Sequence, residues 1–159
     1  MSNSESLRTR APIDTDTCGL ARASEVLGDR WVLLILRELF YNVGRFEDIR
    51  AEIPVPKSVL STRLARLIEQ GLVEKRPYKP EAGRERMAYH LTEMGLDLAH
   101  TFLALLEWGN RHLVDGVQIA AKDKHSKRKL RVAMIDETTG AEAPIYNVRL
   151  RVDDDSIPD

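Results

Sequence analysis

The sequence predicts an α+β fold in which helices predominate and a short two-stranded hairpin follows the fourth of them. In the first half, apolar side chains recur at helical spacing in four successive stretches that Gly or Pro residues separate. After them, residues 72–76 and 86–91 read as strands around a loop that contains Pro77, Pro80 and Gly83. A short helix, a tight turn, a second helix and two strands in this order indicate a winged helix-turn-helix domain.

The first two helices are predicted at residues 18–27 and 30–41. Asp16 or Thr17 is expected to cap the first helix, and Gly28 is expected to end it. The second contains WVLLILRELF, which is apolar nearly all round, and this pattern is typical of the buried centre of a helical domain.

The next two helices form the predicted helix-turn-helix. Phe46, Ile49 and Ile53 mark the inward face of the shorter one, and Pro54-Val55-Pro56 forces a turn. Pro56 suits the first position of the longer helix, which is predicted to run to Gln70 and to end at Gly71. On that helix Leu60, Leu64 and Leu67 are expected to face inward. Steps of about 100° per residue place the opposite face at Ser58, Thr62, Ala65 and Glu69, flanked by Ser61 and Arg66.

The C-terminal half is predicted to contain one more long helix and a second hairpin. In the strand before that helix, Met87, Tyr89 and Leu91 alternate with Arg86, Ala88 and His90, so this strand is expected to return beside the first. Thr92 can cap a helix from residue 93 to about 113, whose apolar residues occupy more than one face and therefore favour a partner subunit. Alternation at residues 130–135 and 146–152 predicts an added C-terminal β-hairpin with a long loop.

Three segments are therefore expected. Residues 1–15 form a disordered tail, because they are polar and show no periodicity. Residues 16–113 form the winged helix-turn-helix DNA-binding and dimerisation domain, with a long C-terminal dimerisation helix. Residues 114–159 form a charged linker, the hairpin extension and an acidic tail.

Composition excludes several classes of protein. No apolar run of the 159 residues approaches the length of a membrane span, and the polar N-terminus lacks the apolar core of a signal peptide. A single Cys rules out an internal disulfide framework, so a cytoplasmic protein is expected. His90, His100, His112 and His125 lack metal-ligand spacing, and no Gly-rich phosphate loop or nucleophile motif occurs. We therefore expect no enzyme activity, no cofactor and no metal.

Charge distribution is more informative than the net charge of −1. The stretch between residues 54 and 91 contains eight Lys or Arg residues and four Glu residues, an excess of positive charge. A helix fits the major groove of double-stranded DNA, Ser and Thr hydroxyls reach bases or phosphates, and Arg and Lys neutralise phosphates or read guanine. The candidate DNA-binding residues are Arg45, Lys57, Ser58, Ser61, Thr62, Arg66, Lys79, Arg84 and Arg86. The alternative is a winged-helix protein-interaction module without specific DNA binding.

Three stretches resemble the HxlR branch of bacterial winged-helix regulators, which is related to the MarR group. They are residues 18–39, 45–78 and 87–112, the last with Tyr-x-Leu-Thr-x-x-Gly and Trp-Gly. The resemblance implies a homodimeric transcription factor whose recognition helix carries Ser58 to Arg66 and whose wing is the loop 79–86. It also implies that the first and last helices form the dimer interface, for which the candidates are Leu20, Phe102, Leu105, Leu106 and Trp108. The hairpin beyond residue 116 is not part of the common core of the family.

Regulation is open between two modes, and repression by steric blockade is the default expectation. Cys18 matches the position of an N-terminal Cys through which some family members sense oxidants, although Gly19 follows it where the family often has Pro. A thiol at a helix N-terminus can be reactive, but a small buried interface side chain is the alternative. A small-molecule effector is the other mode, in a pocket lined by Trp31, Phe40, Tyr41, Phe102 and Trp108.

Overall fold

The computed structural model describes residues 13–80, 83–116 and 118–150. Residues Asp29–Ala133 form one compact unit, and the described residues 13–28 and 134–150 belong to a second. The first unit contains α2 (Arg30–Phe40), α3 (Phe46–Glu52), α4 (Lys57–Glu69), β1 (Val73–Tyr78), β2 (Arg86–Leu91), α5 (Glu93–Asp97) and α6 (Ala99–His112). The second contains α1 (Gly19–Leu27), β3 (Met134–Ile135), β4 (Glu142–Ala143) and a 3₁₀ turn, Ile145–Asn147. The predicted tail at 1–12 and the acidic end at 151–159 lie outside the described residues. No helix in the described ranges is long and apolar enough to cross a membrane.

The core of the larger unit is built by the stripes that helical spacing predicts. Leu60, Leu64 and Leu67 of α4 are buried, as are Ile49 and Ile53 of the preceding helix and turn. On α2, four of the apolar residues are buried, while Trp31 and Phe40 remain partly accessible. The predicted helix-turn-helix is therefore present, and its second helix presents one apolar face to the core.

The hairpin β1–β2 is antiparallel and pairs Val73 with Leu91 at one end and Tyr78 with Arg86 at the other. Ala88 is buried in β2, whereas Met87 is 47% exposed. Met87 lies opposite Pro77, near the end of the ladder that points away from the core residue Val73, and the helices do not cover it.

Gly44 brings a third backbone segment against this hairpin. The amide of Tyr89 donates to the carbonyl oxygen of Gly44 at 2.7 Å. A Cβ at Gly44 would lie 2.3 Å from the carbonyl oxygen of Tyr89, so only Gly permits this approach. The contact joins the chain between α2 and α3 to strand β2.

Two helix starts differ from the sequence prediction. Cys18 is the N-cap residue of α1 and makes no side-chain cap hydrogen bond, so the expected cap at Asp16 or Thr17 is wrong. Both expected residues instead lie in a turn, in which the amide of Cys18 donates to the carbonyl of Asp14 at 3.0 Å. Similarly, Pro56 occupies the N-cap position of α4 rather than its first helical position.

The predicted long helix at residues 93–113 is two helices. Thr92 caps α5 as predicted, since its Oγ1 accepts from the amide of Gly95 at 3.1 Å. Gly95 is buried so close to β1 that a Cβ there would lie 2.2 Å from the carbonyl oxygen of Leu72. The amide of Leu98 then donates back to the carbonyl oxygen of Gly95 at 3.3 Å, which ends α5, and α6 starts one residue later. The close packing of Gly95 on Leu72, just before β1, thus lies three residues ahead of the break.

The C-terminal hairpin is shorter than the alternation predicts. Met134 pairs with Ala143 and Ile135 with Glu142, whereas Tyr146 lies in the 3₁₀ turn, so the predicted second strand is wrong through residue 150. Asp136 explains the early turn: its Oδ1 accepts from the amides of Thr138 and Thr139 at 3.0 and 2.7 Å. The chain reverses directly after β3, and pairing consequently begins at residue 142.

Candidate nucleic-acid interface

The outward face of α4 is exposed along its length. Its predicted members Lys57, Ser58, Ser61, Thr62 and Arg66 are all exposed, together with Ala65 and Glu69. The orientation inferred from Leu60, Leu64 and Leu67 is therefore confirmed. The Oγ1 of Thr62 donates its proton to the carbonyl oxygen of Ser58 at 2.9 Å. Toward an external ligand this hydroxyl can therefore act only as a hydrogen-bond acceptor.

An ion pair fixes α4 to the start of α2. Asp29 is the N-cap residue of α2, and its Oδ1 accepts from the amides of Trp31 and Val32 at 2.8 and 3.3 Å. Its Oδ2 lies 2.7 Å from both Nε and Nη2 of Arg63 on α4. Burial raises the pKa of Asp29, but the two amides and Arg63 outweigh it and hold the pKa below its ordinary value.

Sequence reasoning did not assign this pair. Asp29 had a visible signal, because Asp directly before an apolar helix is a typical N-cap. Arg63 had none, because 34 residues separate it from Asp29, and only the packing of α4 on α2 brings them together. Arg63 therefore pairs with Asp29 of α2's N-cap, whereas Arg66 lies on the outward face of the same helix.

The wing is the loop between β1 and β2. Lys79, Arg84 and Arg86 are all exposed there, and residues 81 and 82 lie outside the described ranges. Arg86 stands opposite Tyr78, at the last pair of the ladder. The cationic side chains of the wing therefore lie next to the paired end of the hairpin.

Arg45 links the start of α3 to the base of the wing. Its guanidinium lies over the ring of Tyr78 at 4.7 Å from the centroid, and its Nε is 3.9 Å from Oδ2 of Asp48. The structure therefore brings both Arg45 and Arg86 next to Tyr78, one by ring stacking and one by strand pairing. Tyr78 was not predicted from sequence, because nothing in its local pattern shows that a residue 33 positions earlier rests on it.

The remaining predicted site residues lie on α1 and α6, which belong to different units. On α1, Cys18 is partly exposed with a free thiol, and Leu20 is 80% exposed. On α6, Leu105 and Trp108 are exposed, and the ring of Phe102 packs on Phe40 at 4.8 Å. Leu106 faces a cavity within its own unit.

The aromatic residues of the predicted effector pocket make separate contacts. Phe40 stacks on Phe102, and Trp108 lies 5.5 Å from the ring of His112. Arg30 covers Trp31 and Arg37 covers Tyr41. None of the five aromatics lines the cavity beside α6. Within the described ranges, no three His, Cys, Asp or Glu side chains are grouped so that they could hold a metal ion.

Comparison with known proteins agrees with this geometry. The family model of the HxlR-like helix-turn-helix matches residues 26–116. The HTH-type transcriptional regulator Rv3095 of Mycobacterium tuberculosis is 43% identical over 94 residues, which are 59% of this chain and 58% of that relative. The chain thus matches under two thirds of the relative's length.

Two solved structures extend the comparison. The crystal structure of PA1607, a candidate transcription factor, superposes with a TM-score of 0.73 at 26% identity and covers 86% of this chain and 96% of that one. The reduced form of the transcriptional regulator YodB from Bacillus subtilis has a TM-score of 0.51 at 27% identity and covers 64% and 99%. The similarity to PA1607 therefore reaches beyond the segment that the family model matches.

Proposed function

Because the chain belongs to the HxlR-like helix-turn-helix family, whose members are transcriptional regulators and not enzymes, we propose that it represses transcription as a homodimer on a pseudo-palindromic operator. The family supports DNA binding. The dimer, the repression and the contact residues are the proposal.

The observation that carries the proposal is the exposed polar face of α4, which the core and the Asp29–Arg63 pair hold in place. A helix seated this way can enter the major groove with Ser58 and Ser61 at base edges and Arg66 at a guanine or a phosphate. No side chain caps the start of α4, so its first amides can meet a phosphate near Lys57.

The wing and Arg45 supply contacts on either side of that helix. Lys79, Arg84 and Arg86 suit a backbone or minor-groove contact, and Arg45 suits a phosphate. Stacking on Tyr78 restricts the guanidinium of Arg45 before DNA arrives, which reduces the entropy lost on binding.

A dimer is supported by apolar surface that the chain leaves exposed. Leu105 and Trp108 on α6 are 49% and 55% exposed, and Leu20 on α1 is 80% exposed. Covering such side chains removes apolar area from water, at about 25 cal/mol per Å². A two-fold dimer would place two α4 helices on half-sites about one turn of DNA apart, and RNA polymerase would be excluded from a promoter that contains them.

Oxidation of Cys18 would be a second level of control, and the position of its thiol supports this. The thiol lies at the N-terminus of α1 and is partly exposed, so an oxidant can reach it. Because the chain has one Cys, oxidation could join only two subunits or one subunit and a small thiol.

A fluorescence anisotropy titration with DNA flanking the gene of this protein tests the proposal. The unmodified chain should bind a specific site with a steep loss of affinity as salt rises, and Ser61→Ala/Arg66→Ala should lose specific binding while its circular dichroism is unchanged. The matched control is Ser126→Ala/Arg128→Ala, which removes the same residue types from another exposed segment. Equal binding by the two double variants would refute the recognition-helix assignment.

Two further experiments test the dimer and the control by oxidation separately. Sedimentation equilibrium should give a dimer for the unmodified chain and a monomer for Leu105→Glu/Trp108→Glu. Diamide should release DNA from the unmodified chain and not from Cys18→Ser if oxidation controls binding. Absence of any salt-dependent DNA binding would favour the protein-interaction alternative.

A further inference from the structure

One face of α6 is covered by a later segment of the same unit, residues 118–132, which we name the ribbon. One end is tied by Asn110, whose Nδ2 donates to the carbonyl of Ile119 at 2.7 Å and whose carbonyl accepts from Nε2 of Gln118 at 2.5 Å. The other end is tied by Glu107, whose Oε1 accepts from the amide of Val132 at 2.9 Å. The ribbon is therefore fastened to α6 at both ends.

Between its two ends the ribbon has a defined shape. It reverses at Asp123, whose Oδ1 accepts from the amides of His125 and Ser126 at 3.1 and 2.6 Å. Its arms are joined by the antiparallel bridge Lys122–Lys129 and by the amide of Leu130, which donates to the carbonyl of Ala121 at 2.9 Å. The ribbon is a small hairpin that rests on α6.

A cavity of about 640 Å³ lies between the ribbon and α6. This volume falls within the range of roughly 300–1,000 Å³ that small-molecule sites occupy. The residues of α6 that line the cavity recur at helical spacing. Most of the apolar lining comes from six side chains, which belong to both elements: Leu103, Leu106, Ile119, Ala120, Leu130 and Val132.

The charged groups of the lining are mainly cationic. Arg111, Lys129 and Arg131 line the cavity, against Glu107 as the one carboxylate in its lining. Glu107 already accepts from the amide of Val132, so its role is to hold the ribbon. Of these cations, Arg111 belongs to the α6 wall and Lys129 to the ribbon wall of the cavity.

We propose that the cavity between α6 and the ribbon binds a small organic anion with an apolar body, such as an aromatic carboxylate or sulfonate. The apolar body would pack between Leu103 and Leu130, and the anionic group would meet Arg111 and Lys129. The site is distinct from the DNA-contacting face and from the five aromatics considered above, and the inference does not depend on operator binding.

The test is a titration of the full chain with two dyes that share one ring system. 8-Anilino-1-naphthalenesulfonate carries a sulfonate, and N-phenyl-1-naphthylamine carries none. Arg111→Gln/Lys129→Gln should lower the affinity for the sulfonate dye by about tenfold or more. The same variant should change the affinity for the neutral dye by less than about twofold. The control Lys122→Gln/Arg128→Gln removes the same charges from ribbon positions outside the lining and should change neither affinity.

A filling substitution tests the apolar part of the site. Leu103→Trp should abolish saturable binding of both dyes, and Ala120→Leu fills the same cavity from the ribbon if Leu103→Trp does not fold. Sulfonate-dye affinity that is indifferent to Arg111→Gln/Lys129→Gln would overturn the proposal. Binding of both dyes that survives the filling variants would also overturn it, because the dyes would then occupy the exposed apolar face of α6.

Discussion

Asp29→Ala should lower the free energy of unfolding by about 2 kcal/mol. The substitution removes an N-cap, which contributes about 1 kcal/mol, since Oδ1 accepts two amides of α2. It also removes the ion pair with Arg63, in which the two side chains are 25% and 29% exposed. Because solvent reaches this pair only in part, we assign it about 1 kcal/mol, above the usual contribution of a fully exposed pair.

Variants that change one part at a time separate the two contributions. Asp29→Asn keeps a capping oxygen and should cost about 1 kcal/mol through the lost charge. Arg63→Met should cost a similar amount, and the double variant Asp29→Asn/Arg63→Met should show a coupling energy of about 1 kcal/mol. Asp48→Ala is the control, because Asp48 makes a longer, exposed pair with Arg45 and should cost less than about 0.5 kcal/mol.

The charge of Asp29 also predicts a pH dependence with a definite sign. Its pKa is lower in the folded chain, so its contribution is fully present above the unfolded-state pKa of about 3.9 and is lost as the pH falls through the folded value. Urea unfolding at pH 7 and near pH 3 should therefore show a smaller cost of Asp29→Asn at the lower pH. A cost below about 0.5 kcal/mol at pH 7, or an equal cost at both pH values, would refute this reasoning.

Three other substitutions test close contacts of the fold. Gly44→Ala should destabilise the chain by about 2 kcal/mol in urea unfolding, because its Cβ would lie 2.3 Å from the Tyr89 carbonyl oxygen, whereas Gly109→Ala, with nothing within 4 Å, should be neutral or stabilising. Thr92→Ala should cost about 1 kcal/mol in the same assay through loss of the α5 cap. Glu107→Ala should release one end of the ribbon and accelerate its cleavage in limited proteolysis.

Each of these expectations can fail in a recognisable way. Equal stability of Gly44→Ala and Gly109→Ala would mean that the wing does not depend on the close backbone approach. An unchanged midpoint for Thr92→Ala would assign the start of α5 to packing alone. Unchanged cleavage of the ribbon in Glu107→Ala would show that the Asn110 end is sufficient to hold it.

The inward face of α4 could be predicted because its Leu residues repeat at 3.6-residue spacing, a property of the local chain. The break at Leu98 could not, because the local pattern is helical across it, and the nearby packing of Gly95 on Leu72 is a contact between residues far apart in sequence. For the same reason the outward candidates of α4 were found from spacing, while the contacts of Arg63 with Asp29 and of Arg45 with Tyr78 were not. The short C-terminal hairpin failed differently: alternation at residues 146–150 suited a strand, but the Asp136 turn reverses the chain before those residues can pair.

The division of α4 into an inward and an outward face has a consequence for how the proposed DNA target can diverge. Arg63 and the three Leu residues belong to the scaffold, whereas Ser58, Ser61 and Arg66 face outward. Under the proposed function, a related chain would acquire a different operator by changing outward positions alone, and its stability would hardly change. An engineer who replaces α4 of this chain should graft only those outward positions and retain Arg63, since a whole-helix exchange would leave the Asp29 carboxylate without its cation.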